Sequence, residues 1–232
     1  MVIRGFNKTT LLDFPGKVAS TIFTGGCNFK CGFCQNSALV LNPEQEPEIS
    51  EEEVFSYLRK RQGIIEGVCI SGGEPTLQPD LVSFIEKLKE TGVAVKLDTN
   101  GYRPDILEEL MEKRLLDMVA MDIKSDEEGY GRVAGLQGLD FNKIKSSAAL
   151  LMKGDIDHEF RTTVVREYFD EKIITNISRW LKGAKKYFLQ RFEDNGSVIV
   201  SGLSSPETEE LIKYKDILLE TMERVEIRGI DY

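Results

Sequence analysis

From residue 18 onward, short apolar runs alternate with longer stretches whose apolar residues recur every three or four positions. The short runs are rich in Val, Ile and Phe, the pattern of parallel strands buried on both faces. They fall at 18–24, 67–71, 93–98, 118–123, 158–165 and 186–191, with a seventh at 224–230. The longer stretches predict helices. Ser50 and Glu53 form a capping-box pair ahead of Val54, Tyr57 and Leu58. Pro79-Asp80 opens a helix with Leu81, Phe84, Ile85 and Leu88 on one face, and Gly92 stops it. Pro104-Asp105 opens another, with Leu107, Leu110 and Met111 inward. Further helices are expected at 142–152, 171–182 and 206–222, and the glycine-bearing stretch 125–139 is the most irregular.

Repeated strand–helix units predict a parallel sheet with right-handed crossovers. An open doubly wound sheet would gather its site at one switch point, whereas a barrel gathers residues from every strand end. Here unusual residues recur at the same end of successive strands. Cys27, Cys31 and Cys34 follow the first, and Gly72, Gly73 and Glu74 the second. Asp98 and Asn100 end the third, and Asp122 and Lys124 the fourth. Arg161 lies on the fifth and Gln190 near the end of the sixth. The expected fold is therefore α/β, a partial open (β/α)6 barrel, with residues 1–232 as one domain.

Composition narrows the partners. The net charge is −9 with no basic block, which argues against a nucleic-acid phosphate surface. No apolar run reaches the roughly 18 residues needed to span a bilayer. The N-terminus carries no apolar secretion core. Four cysteines, three of them crowded, do not read as a disulfide framework, and a reducing cytoplasm fits. A single histidine leaves no room for multi-histidine metal chemistry.

The crowded cysteines are the strongest chemical signal. Cys27, Cys31 and Cys34 stand in C-x3-C-x2-C spacing, so one loop can wrap one metal centre. Soft thiolates select zinc, copper(I) or iron–sulfur clusters. Three protein ligands leave one position open for chemistry. A structural zinc site would need Cys69 or His158 as fourth ligand, but Cys69 sits mid-strand and His158 is distant in sequence.

This loop resembles that of the radical S-adenosylmethionine (SAM) enzymes. Ser71-Gly72-Gly73-Glu74-Pro75 matches the GGEP motif of that family. Leu97-Asp98-Thr99-Asn100-Gly101 and Met121-Asp122-Ile123-Lys124 resemble segments of its glycyl-radical-enzyme activases. The segment Thr10-Leu11-Leu12-Asp13-Phe14-Pro15-Gly16-Lys17 is similar to the anaerobic ribonucleotide reductase activating subgroup, which commonly has His where this chain has Gln35.

The resemblance implies a [4Fe–4S] cluster on Cys27, Cys31 and Cys34, with SAM chelating the fourth iron. It implies that Phe33 packs on adenine, against a bland reading as core. It places Gly72 and Gly73 at the SAM amine, with Glu74 either at the ligand or ordering the loop. Asp98, Asn100, Asp122 and Lys124 would lie at the methionyl and ribose end, with room for a monovalent cation; simple capping is the bland reading for the aspartates. Arg161 would pair with Asp122 or reach SAM, and Gln190 would contact SAM, unless both only fill the barrel. The implied partner is a glycyl radical enzyme of the anaerobic ribonucleotide reductase or pyruvate formate-lyase type. The implied electron donor is a low-potential protein such as flavodoxin or ferredoxin. Two alternatives stay open: a small-molecule radical SAM enzyme of the deazapurine-synthase kind, and a non-enzymatic zinc or iron–sulfur module.

Overall fold

The computed structural model describes residues 1–230. Its strands are β1 (Ile3–Thr10), β2 (Ala19–Thr24), β3 (Gly67–Gly72), β4 (Ala94–Thr99), β5 (Met118–Asp122), β6 (Asp157–Val164), β7 (Tyr187–Arg191) and β8 (Val225–Arg228). They form one sheet in chain order. All neighbours from β2 to β8 are parallel, and β1 alone is antiparallel, against β2. Among the described residues β1 and β8 do not pair, so the sheet stays open between them. The six expected strands and the seventh are all present.

The strand β1 is a correction, since nothing before residue 18 was expected to be one. Only its end residues Ile3 and Thr10 are buried, and the middle is polar and partly exposed. An edge strand needs no apolar alternation; here the free edge of β2 supplies the pairing that sequence pattern does not announce.

Helices α1 (Ser37–Leu41), α2 (Glu51–Lys60), α3 (Leu81–Glu90), α4 (Pro104–Glu112), α5 (Tyr130–Ala134), α6 (Phe141–Lys153), α7 (Glu171–Trp180) and α8 (Thr208–Leu219) connect the strands. Among the described residues no helix is long and apolar enough to cross a membrane. Ser50 caps α2 as expected, its hydroxyl accepting the Glu53 N–H at 3.1 Å. Leu81, Phe84, Ile85 and Leu88 of α3 are fully buried against the sheet, as are Leu107 and Leu110 of α4. The irregular stretch 125–139 contains the short α5, closed by Gly135 in the left-handed region.

The inside of the curled sheet has a small apolar floor. Phe14, from the β1–β2 connection, packs there with Ala19, Ala94 and Met118. Gly67 completes the floor, since a Cβ there would meet the Phe14 ring at 2.8 Å. Above the floor the interior turns polar, at the C-terminal ends of the parallel strands, where such folds place their chemistry.

Candidate active site

At those strand ends lies a cavity of about 380 Å³. Every residue that the resemblance assigns to the cluster or to SAM lines it: Cys27, Cys31 and Cys34; Phe33; Gly72, Gly73 and Glu74; Asp98 and Asn100; Asp122 and Lys124; Arg161 and Gln190. Six different strands, β2 to β7, or their following loops are thereby joined in one place.

The cysteine loop follows β2 and is anchored by a backbone bond from its middle and a side-chain bond just past its last cysteine. The Lys30 N–H donates to Ala134 O at 2.8 Å, which ties the loop to α5. A Cβ on Gly135 would lie 2.4 Å from Lys30 O, so that approach demands glycine. The Asn36 amide donates to Gly72 O at 3.1 Å, linking the loop to the next strand. All three thiols are free. Burial pushes Cys27 up to about 12 and Cys31 up to about 11, and raises Cys34 as well. A cationic centre would take these thiols as thiolates, and its binding would release protons. Among the described residues no trio of His, Cys, Asp or Glu converges as tightly as a single ion requires. A cluster that spread its ligands over several metal atoms would not need that convergence.

The turn after β3 is built for close backbone contact. Gly72 has φ +108°, and a Cβ on it would lie 2.4 Å from the Thr24 nitrogen. A Cβ on Gly73 would lie 1.9 Å from Gly26 O. The Gly73 N–H donates to Thr24 O (2.9 Å) and the Glu74 N–H to Gly26 O (2.8 Å). We expect Gly73→Ala to destabilise the protein by about 3 kcal/mol or more, because backbone on both sides must give way. Gly16→Ala, with a left-handed φ of +74° but open space around it, should cost only about 1 kcal/mol. Thermal melts of the two variants make the comparison, and equal melting temperatures would contradict it.

Glu74 is 1% exposed. Its Oε1 accepts from the Thr76 N–H (3.1 Å), the Thr76 hydroxyl and the Thr99 hydroxyl (2.7 Å), and its Oε2 from the Asn100 N–H (2.7 Å). This carboxylate orders the ends of β3 and β4, the second of the two roles weighed for it. Burial raises its pKa against those donors.

Across β4, β5 and β6 runs an alternating row of charges. Lys96 pairs with Asp98 Oδ1. Arg161 bridges Asp98 Oδ2 (3.2 Å) and Asp122 Oδ1 (3.0 Å), and Lys124 pairs with Asp122 Oδ2 (3.1 Å). The expected Arg161–Asp122 pair is therefore present. Lys124 also stands 5.6 Å over the Phe33 ring, a cation–π contact. Burial alone would raise the Asp98 pKa, but Arg161 and Lys96 hold it at about 2. Arg161 and Lys124 likewise lower Asp122 against its burial. Burial opposes the charge on Lys124, and Asp122 more than restores it.

A depressed carboxylate stabilises the fold above its ordinary pKa of 3.8, and that stability is lost as pH falls toward 2. For Asp98 the amount is on the order of 2 kcal/mol. We expect the fall in stability of the protein between pH 4 and 2 to be shallower in Asp98→Asn. Urea unfolding at stepped pH measures it, and parallel pH slopes would refute it.

Two charged residues in or beside this site escaped the sequence reading. Asp13 lines the cavity from the β1–β2 connection and accepts the Thr21 hydroxyl. Its position depends on β1, which the pattern did not reveal. Lys96 is 1% exposed and touches Cys69 Sγ at 3.8 Å. A signal was available: Lys96 and Asp98 are two apart on a strand, hence on one face. His158 is buried beside Phe160, with Nδ1 3.0 Å from Ile156 O, a structural place.

An open, mostly parallel α/β barrel with a cysteine loop over its strand ends is the framework of a cofactor-dependent enzyme. Residues 21–178 match the Radical SAM superfamily, and the chain belongs to that family. As a member it is an enzyme that works with a [4Fe–4S] cluster and SAM. It is 34% identical to a candidate glycyl-radical enzyme activating enzyme of Methanocaldococcus jannaschii, over 99% of this chain and 97% of that one. It is 27% identical to the pyruvate formate-lyase-activating enzyme of Clostridium pasteurianum, over 84% of this chain and 83% of that one. A solved domain of a pyruvate-formate lyase-activating enzyme from Bacteroides vulgatus shares the fold, with a TM-score of 0.55 and 21% identity over 70% of this chain and 99% of that one.

Proposed function

We propose that this chain activates a glycyl radical enzyme by removing a hydrogen atom from a glycine Cα of that partner. The reading takes residues 1–232 as one radical SAM domain of the cytoplasm. The observation that carries it is the relative from M. jannaschii, which aligns along nearly its whole length. Cys27, Cys31 and Cys34 would hold the cluster and leave one iron open. The cluster and SAM, when bound, supply a 5′-deoxyadenosyl radical by one-electron cleavage of the sulfonium.

The chain's own residues bind and orient. Lys124 matches the SAM carboxylate, and the Asp98 and Asp122 carboxylates match its ammonium and sulfonium charges. Their fixed row costs no reorganisation when the ligand enters. Phe33 offers a ring face to adenine, and the Gly72-Gly73 turn offers backbone to the methionyl amine. Gln190 and Arg161 complete the wall. The opening between β1 and β8 suits an extended peptide loop, which favours a protein glycine over the deazapurine-type small substrate. The electron would come from a low-potential flavodoxin- or ferredoxin-like donor.

A peptide carrying the partner's glycine, deuterated at Cα, tests the proposal. Deuterium should pass into 5′-deoxyadenosine under anaerobic reduction. Deuterium arriving only from a labelled small metabolite would overturn the protein-substrate reading.

A further inference from the structure

Asn100 has a task that its expected place beside SAM does not describe. Its Oδ1 accepts the Tyr102 N–H at 3.0 Å, which fixes the end of the amide that carries the hydrogens. Its Nδ2 therefore faces the cysteine loop. There it donates to Asn28 Oδ1 at 2.8 Å and stands 3.9 Å from Cys27 Sγ. The orientation of Asn28 follows: its Oδ1 is taken by Asn100, and its own Nδ2 is buried without a partner. Cys27 Sγ also accepts the Phe29 N–H at 3.3 Å, so two N–H donors converge on one sulfur. The arrangement is rigid. Asn100 is 5% exposed, and its backbone N–H is held by Glu74.

With one Asn100 hydrogen on Asn28 Oδ1, the other acceptor within reach of Nδ2 is Cys27 Sγ. We infer that Asn100 acts through Cys27, donating an N–H···S hydrogen bond to the thiolate that raises the reduction potential of the cluster, with Asn28 holding the amide in register. Donors to cluster sulfurs withdraw electron density and favour the more negative, reduced state. A neutral amide does this without adding a charge to the row on β4–β6. The inference rests on the proposed ligation of the cluster by Cys27.

The test uses the reconstituted full-length chain without SAM, poised at a fixed potential with redox dyes. The reduced cluster is read by electron paramagnetic resonance. Asn100→Ala should lower the reduced-to-oxidised ratio about tenfold, equal to about 59 mV for one electron, at unchanged iron content. Asn28→Ala should shift it the same way by less. After exchange into deuterated water, pulsed electron–nuclear resonance on the wild type should show a deuteron coupling that Asn100→Ala lacks. Unchanged potentials in both variants at full iron content overturn the inference. Should Asn100→Ala fail to assemble a cluster, the potential of Asn28→Ala decides alone, and no shift overturns it. A wild type that binds no iron overturns the ligation itself and is thereby told apart.

Discussion

Cys27→Ala, Cys31→Ala and Cys34→Ala should each lose the cluster, with SAM cleavage falling to background, whereas Cys69→Ala should keep both. Wild-type protein should hold about four irons and four sulfides. Each loop variant drops the protein ligands from three to two on a loop whose backbone is already fixed by Lys30, Asn36 and the Gly72–Glu74 turn. No spare thiol can substitute. Cys69, the fourth cysteine, sits mid-strand in β3 with its sulfur against Lys96. Iron and sulfide analysis with anaerobic SAM-cleavage assays measures this. Full iron in any loop variant, or loss of iron in Cys69→Ala, would refute the ligand set.

Arg161→Met should destabilise the apoprotein by about 2 kcal/mol, between the cost of breaking an exposed and a fully buried ion pair, because all three side chains are only partly buried. The arginine separates Asp98 from Asp122 and is hydrogen-bonded to both. Without it the two half-buried carboxylates face each other, each left with a single lysine, Lys96 or Lys124. Arg166 is the contrast. It is 46% exposed and pairs with Glu207 and Glu210. Arg166→Met should cost less than about 1 kcal/mol, as exposed pairs do. Urea midpoints at constant slope measure both. Equal losses in the two variants would show that the interior row is not the stabilising element claimed here.

Much of the fold is legible in local pattern. Strands β2, β3, β5 and β7 announce themselves because consecutive residues are buried on both faces, so apolar residues run together, whereas β8 alternates buried Val225 and Ile227 with half-buried Glu226 and Arg228. Helices α3 and α4 announce themselves through a proline start and a period of three to four. The edge strand β1 does not, because one partner strand and no buried face is all it has. The cysteine loop and the Gly72-Gly73-Glu74 turn are equally legible, since their spacing along the chain is itself the chemical requirement.

What the chain alone determined is the inventory: three thiolates on one loop, a glycine pair that admits close backbone, and carboxylates and cations at consecutive strand ends. Tertiary structure decided which of these charges meet. Lys96, Asp98, Arg161, Asp122 and Lys124 come from three strands, and only parallel register places Arg161 opposite Asp122 and within reach of Asp98. It also decided that Glu74 is consumed by Thr76, Thr99 and Asn100, that Asp13 enters the cavity through a strand pairing, and that the Asn100 amide faces Cys27. Sequence spacing specifies contacts within one turn or one loop; contacts between strands depend on register and curvature, which the whole sheet sets together.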